Sequence, residues 1–544
     1  MMLQDRPRRI VIVGGGIAGL AAAYRLGHAR RRGLPIDEML LEAGDRLGGV
    51  IRTDRAEGCI VEGGPDSFLR EKPETAALAR EFGLGDALIG SNDAGRRTYV
   101  LHRGRLQPLP EALMLIAPAR VGPMLRSALV PWSSKLTMLR EWVTGRAPGG
   151  DAPAADESVS SFVARHFGSG MLETIVEPLL AGVYGGDAAE MSARSVLGRF
   201  RAMENTHGSL IRAARAMRRK VENSGEPGSI FMTLREGLGV LVAALIREVE
   251  PERVELHRRA VRIERVSGRS DVGGYRVVLE DGSSREADRV ILSLPSWASA
   301  ALLAPLEPEL SEHLAGIPYR SAVLVALVYP ESVRARLPQG FGFLVPRREG
   351  RRLLACTFVH QKFQHRAPVD RALLRCFLAG ADDATIVAAD DDTLLEIVRG
   401  ELASILGIHE APLFARVYRW PRSMAQYVVG HHRRLEAIHE RLLQAPGIHL
   451  AGNAYSGIGI SDAIRTGEQI RALVAAKKVV NRRTGEVLGK ITLSIGVGEY
   501  RRNETPAELI HRADEALYHA KNTGRDRVSS EADIPAAAPA TKHA

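Results

Sequence analysis

A short β-branched run, Ile10-Val11-Ile12-Val13, opens directly onto Gly14-Gly15-Gly16-Ile17-Ala18-Gly19. Four consecutive apolar residues of this kind suit a strand buried on both faces of a parallel sheet. Residues 20–32 read as an alanine-rich helix that turns basic towards its end, where Gly33 stops it. Glu38-Met39-Leu40-Leu41-Glu42 reads as a second strand. Residues 10–42 are therefore one βαβ unit, and the expected class is α/β, α+β over the whole chain.

Each residue type in the turn has a physical role. Gly14 permits the tight turn, Gly16 lets backbone approach a pyrophosphate, and Gly19 lets helix and strand pack closely. Gly15, Ile17 and Ala18 complete the turn, whose free N–H groups and helix dipole favour an anion. Glu42 is placed to accept bonds from ribose hydroxyls, with Ala43 beside it, and an acid here disfavours a 2′-phosphate. The fingerprint alone leaves NAD and FAD open.

At 544 residues the chain is too long for one ordinary core, so two or three domains are expected. Its 45% apolar and 25% charged residues are globular values. Three cysteines, Cys59, Cys356 and Cys376, form no CxxC pair, which excludes a disulfide scaffold and a cysteine zinc site and suits the cytoplasm. A net charge of +10 points to an anionic substrate or membrane surface. Nucleic acid is not expected, because no basic strip is interleaved with aromatics. No apolar run reaches the roughly 18 residues of a membrane span. Arg6-Pro7-Arg8-Arg9 before the apolar stretch at residues 10–23 imitates an export signal, but the glycine spacing there is that of a nucleotide turn, and no export is expected.

Glu42-Ala43-Gly44-Asp45-Arg46-Leu47-Gly48-Gly49 adds a second glycine pair after an arginine. This stretch resembles the flavin amine oxidase superfamily, where it covers the FAD pyrophosphate. The resemblance makes FAD the favoured cofactor and gives Arg46, Gly48 and Gly49 a place at the phosphates. Several further segments, in family order, resemble the porphyrinogen oxidases of haem biosynthesis. They are Glu62-Gly63-Gly64-Pro65-Asp66-Ser67-Phe68, residues 177–187 (EPLLAGVYGGD), Gly340-Phe341-Gly342-Phe343-Leu344-Val345-Pro346, residues 420–427 (WPRSMAQY) and residues 450–462 (LAGNAYSGIGISD). The resemblance runs over residues 9–475.

It implies an FAD-dependent oxidation of protoporphyrinogen IX or coproporphyrinogen III to the porphyrin, with dioxygen taking the electrons as hydrogen peroxide. The cofactor carries the redox step, so no catalytic side chain and no metal are expected. Gly64, Pro65, Asp66 and Ser67 would lie beneath the flavin ring, Gly452, Asn453, Ile458, Gly459 and Ile460 would lay backbone against it, and Val261 would meet the adenine. Arg97 is the expected propionate ligand, with Arg96 its runner-up, and Phe343 and Leu344 the expected apolar walls. The implied layout is an FAD domain from 1–95, 225–300 and 437–476, a helical membrane-associating part at 96–224, and a substrate domain at 301–436. In that part, residues 106–143 are amphipathic, carry Trp132 and Trp142, and suit an interfacial contact on the cytoplasmic face of a membrane. A homodimer and a downstream ferrochelatase are the implied protein partners. An amine oxidase or carotenoid desaturase is the nearest rival, and a signalling module led by the tail the rival of another class.

The tail differs in composition. Five of the nine lysines fall in the last 68 residues. Asn481-Arg482-Arg483-Thr484-Gly485-Glu486, Ile491-Thr492-Leu493-Ser494-Ile495-Gly496-Val497 and Arg512-Ala513-Asp514-Glu515-Ala516-Leu517-Tyr518 resemble the C-terminal half of a diguanylate cyclase (GGDEF) domain. The family's Gly-Gly hairpin and metal-binding acids are absent from the sequence. Residues 477–528 are thus expected to be a cyclase fragment without activity, and residues 529–544 to be disordered.

Overall fold

The computed structural model describes residues 6–111, 113–114, 116–145, 156–224, 229–266, 274–378 and 384–475; beyond these it describes 495–497, 509, 512–515 and 528–530. The chain divides into two compact units, Met1–Val474 and Ala475–Ala544.

The first strand, Arg8–Val13, lies at the centre of a five-stranded parallel sheet ordered Val254–Glu255, Ile36–Leu41, Arg8–Val13, Arg289–Leu292, Ile448–Leu450. Its alternate side chains enter different cores. Ile10 and Ile12 pack with the helices Ile17–Arg31, Gly239–Glu248 and Ile460–Ala475. Val11 and Val13 pack with the antiparallel strand Tyr275–Leu279 and the helices Ser296–Leu303 and His431–Leu442. Burial on both faces is why this strand is apolar without interruption. The α/β class holds, with the nucleotide sheet gathered from distant segments.

A second sheet has seven strands, ordered Phe414–Ala425, Tyr319–Pro330, Arg371–Leu378, Leu353–Phe358, Gly342–Leu344, Thr98–His102, Arg105–Pro108. Thr98–His102 pairs in parallel with Gly342–Leu344, Tyr99 opposite Phe343. Residues 98–108, counted with the helical part in the sequence reading, thus belong to this sheet, because long-range pairing outweighs chain proximity.

Helices Val121–Arg126, Trp132–Thr144, Val159–Phe167, Glu177–Tyr184, Gly198–His207 and Leu210–Ser224 share a third core. Gly208, with φ of 68°, separates Gly198–His207 from Leu210–Ser224. A buried ion network runs through this core. His166, 0% exposed, lies between Glu141 Oε1 at 3.2 Å and Glu204 Oε1 at 3.1 Å. Burial pulls its pKa down, but the two carboxylates outweigh that and raise it. Burial likewise works against the Glu204 charge, yet His166 and Arg165 hold that carboxyl at about 2.

The sign of the pH dependence follows. The His166 contribution is complete below about pH 6.5, its unfolded value, and is lost as pH rises through the raised folded value. The Glu204 contribution is complete above about pH 4.5 and is lost as pH falls towards 2. Calorimetry of the parent and His166→Gln from pH 5 to 9 is expected to show a Tm advantage that shrinks towards high pH. A constant difference would exclude a charged His166.

In the second unit, Ile495–Val497 pairs in parallel with Val528–Ser530, and residues 512–515 are helical. The remaining tail segments, including 477–494 and 531–544, lie outside the described residues. Among the described residues no helix is long and apolar enough to cross a membrane.

Candidate active site and cofactor cradle

Gly14 has φ of 106°, and a Cβ there would strike the Ser293 carbonyl and come within 2.9 Å of Leu294 Cδ2. A Cβ on Gly19 would collide with the Gly14 carbonyl. Both glycines are demanded by the protein's own packing. Gly16 is different: its φ of −68° and ψ of 177° suit any residue, and nothing lies within 4 Å of where its Cβ would stand. The chain has no internal need for glycine there. A ligand pressed against that backbone supplies the need, at a helix start with no side-chain cap and no acid in its first turn.

Glu42 is fixed beside this turn, accepting from the Gly15 N–H and the Gly44 N–H at 2.7 Å each. Gly48 and Gly49, with φ of 102° and 58°, fold over the turn, and the Gly48 N–H donates to the Gly15 carbonyl at 2.8 Å. The Arg46 guanidinium donates to the carbonyls of Leu47, Gly49 and Ile51, so it staples this covering loop.

Gly14, Gly16, Ile17, Ala18, Glu42, Gly48 and Gly49 line one cavity of about 2960 Å³. Gly64, Pro65 and Ser67 line it further along, as do Gly452, Asn453, Ile458, Gly459, Ile460 and Arg97. Ligand pockets usually measure about 300–1,000 Å³, so this space admits a dinucleotide and a second large molecule together. The residues present therefore fit a flavin dinucleotide.

Gly15, Gly19, Ala43, Arg46, Asp66 and Val261 are not among the lining residues. Asp66 turns its carboxylate to Lys362 Nζ at 3.1 Å and Arg375 Nη1 at 3.0 Å. Burial would raise its pKa, but these two cations hold it well below the usual carboxylate range. Val261 is 40% exposed and sits where the ladder between Ala260–Arg265 and Tyr275–Leu279 skips a residue, so its backbone is left out of the sheet pairing. The neighbouring Arg258 N–H donates to the Glu42 carbonyl at 2.8 Å.

The apolar wall is corrected. Phe343 is 1% exposed and packs in the sheet core against Phe358, and Leu344 packs on the helical core; neither lines the cavity. Phe341, Leu354 and Phe377 from the sheet, with Leu179 and Leu180 from Glu177–Tyr184, line it instead. Gly340 and Gly342, with φ of 149° and 135°, flank Phe341 and break the usual strand alternation. That glycine bracket was the available signal.

Beyond Arg97 and its runner-up Arg96, sequence reasoning missed the cations Arg70, Arg126 and Arg194. Arg70, Arg96, Arg126 and Arg194 line the same cavity as Arg97, and among the described residues none of the five has a carboxylate partner. Arg199 beside them is paired with Glu71 at 3.0 Å. Tyr427 was missed as well. Its hydroxyl donates to the Asn453 carbonyl at 2.7 Å and accepts from the Gly457 N–H at 2.9 Å, fixing the segment 452–458 along the cavity.

Known proteins resemble this chain over most of its length. The coproporphyrinogen III oxidase of Bacillus subtilis is 32% identical over 473 residues, covering 86% of this chain and 97% of that protein. The chloroplastic protoporphyrinogen oxidase of Oryza sativa subsp. japonica is 31% identical, covering 84% and 85%. A crystal structure from Exiguobacterium sp. 255-15, provisionally named a protoporphyrinogen oxidase, matches with a TM-score of 0.76 at 30% identity over 86% of this chain and 98% of that one. A putrescine oxidase structure shares the fold, with a TM-score of 0.61 at 17% identity over 87% of this chain and 99% of that one. The diguanylate cyclase (GGDEF) profile matches residues 457–527. The profile of flavin-containing amine oxidoreductases matches residues 17–470, and the chain belongs to that family, as an FAD-dependent oxidoreductase.

Proposed function

We propose that this chain oxidises a porphyrinogen to the porphyrin with dioxygen, and that its substrate is coproporphyrinogen III. The observation that carries this reading is the set of five arginines without acidic partners around a cavity continuous with the cofactor cradle. Unpaired guanidinium groups suit carboxylates, and coproporphyrinogen brings four propionates where protoporphyrinogen brings two. An amine substrate would be repelled by the same charges. FAD, held by the Gly14–Gly19 turn, Glu42, the loop at Gly48 and Gly49, and the segment 452–460, supplies the two-electron acceptor. The apolar residues Phe341, Leu354 and Leu179 exclude water from the tetrapyrrole core.

The test is porphyrin fluorescence in air, with each porphyrinogen offered separately and the spontaneous rate subtracted. Faster appearance of coproporphyrin is the expected result; a flavin-loaded chain that accelerates neither reaction excludes the reading. Arg97→Leu is expected to raise KM about tenfold or more with little change in kcat, since a charge-assisted bond is worth about 1.5–3 kcal/mol. The rise should be larger for Arg97→Leu/Arg126→Leu together.

The same reading includes contact with a membrane surface. The helix Trp132–Thr144 exposes Trp132 by 76%, Leu136 by 65% and Val143 by 67%, with Lys135 over the Trp132 ring. An exposed apolar stripe with aromatic and basic residues suits the interface of an anionic bilayer. Sedimentation with anionic vesicles is expected to bring the parent down and to leave Trp132→Ser/Leu136→Ser in solution; equal sedimentation would exclude this face.

A further inference from the structure

The cavity wall holds one titratable group that the oxidation described so far leaves unused. His431, the first residue of the helix His431–Leu442, lines the cavity and is 2% exposed; neither ring nitrogen makes a well-formed hydrogen bond, although the Ala454 backbone lies close enough to act on the ring. Its ring stacks on Tyr427 with centroids 4.2 Å apart and planes 11° from parallel. Tyr427 in turn is bonded at both ends of the segment 453–457. A buried imidazole without a well-formed hydrogen bond departs from the usual rule that buried polar atoms are paired.

Elimination points the same way. The arginines of the wall do not exchange protons near neutral pH. Glu42 is tied to two backbone N–H groups, Glu71 to Arg199 and Lys72 to Asp462. Asp93 accepts from Ser91 and Ile230, and Glu111 stands exposed. Burial drives the Tyr184, Tyr427 and Tyr455 phenols upward, and His432 faces Asp156 at 3.5 Å. His431 is left as the neutral base.

We propose that His431 holds the proton that leaves the tetrapyrrole at each two-electron oxidation and returns it when dioxygen is reduced; this rests on the porphyrinogen reading above. The balance closes. Each dehydrogenation breaks one C–H and one N–H bond of the substrate, releasing a hydride and a proton. Dioxygen takes up two electrons and two protons as hydrogen peroxide. The hydride accounts for both electrons and one proton, and the second proton is the one carried on the His431 ring. The groups acting on that ring favour the empty, neutral form between transfers. Burial leads, with Arg434 on the same helix and His432 adding to it, while the Ala454 backbone and Asp156 oppose, and the pKa falls to about 4.

Three measurements test this. A 15N-histidine NMR titration of the parent, with His431→Gln to identify the resonance, is expected to show a neutral ring throughout pH 5–8; a ring charged at pH 7 overturns the proposal. His431→Gln is expected to load FAD and melt like the parent but to turn over about a hundredfold more slowly, within the usual range for a lost proton-transfer group. His431→Ala should regain turnover with added imidazole in proportion to its free base, and full turnover without imidazole overturns the proposal. Air reoxidation of the chemically reduced chain needs no porphyrinogen and is expected to slow about tenfold in His431→Gln. Unchanged reoxidation overturns the role of His431 whatever the substrate, whereas slowed reoxidation in a chain inert to porphyrinogens removes only the substrate reading.

Discussion

A Gly16→Val chain is expected to fold, to melt where the flavin-free parent melts, and to come out of purification colourless. The backbone at Gly16 is extended, and no protein atom lies within 4 Å of the added Cβ, so the side chain costs the fold little. The branched group instead occupies the place where backbone must meet a pyrophosphate. Loss of bound flavin and of all turnover, with circular dichroism unchanged, is the predicted combination. Gly19→Val is the control with the opposite pattern, because its Cβ strikes the Gly14 carbonyl and the nucleotide sheet itself is disturbed. A yellow Gly16→Val protein would place the cofactor elsewhere.

Arg366→Leu is expected to destabilise the first unit by about 3–5 kcal/mol, the usual cost of stranding a buried charge. Arg366 is 1% exposed and Glu62 2%, with Nη2 and Oε1 3.1 Å apart. Glu62 also accepts from the Thr53 hydroxyl at 2.6 Å and the Leu238 N–H at 2.7 Å, and Arg366 donates to Thr233 at 2.7 Å. Burial pushes the Glu62 carboxyl up and the Arg366 guanidinium down, so each charge depends on the other. Glu62→Gln with Arg366→Leu removes both charges while keeping an acceptor for Leu238, and should recover most of the loss. The midpoint of urea unfolding reads both variants. A double variant as unstable as the single would show that packing, not charge, holds Arg366.

The nucleotide turn was legible because its constraints are local. One of its glycines, Gly19, answers to sterics within a few residues, and the βαβ unit is set by contiguous patterning. Of the cavity cations only Arg97 and Arg96 were legible, through resemblance, since Arg126 and Arg194 meet the cavity from helices far along the chain. Distance along the chain also hid the ions around His166, whose partners Glu141 and Glu204 lie on other helices. Phe343 and Leu344 were named by resemblance alone, which does not say which side chains of the segment face the cavity. Gly340 and Gly342, both at positive φ, turn the backbone around Phe341, the residue that does line the cavity. Asp66 sits in the flavin loop by sequence yet turns to Lys362 and Arg375, because a buried carboxylate follows the nearest cations.

The seam between the two family likenesses has a practical meaning. The cyclase profile begins at residue 457, yet residues 460–475 form a helix whose Ile460, Ala463, Ile464 and Ile470 are packed in the core of the nucleotide sheet. The later likeness thus borrows its opening turns from an element the flavin unit already owns. Anyone trimming the tail at the profile boundary would cut away part of the cofactor cradle and blame the tail for the dead enzyme. A cut after residue 475 keeps the helix Ile460–Ala475 whole.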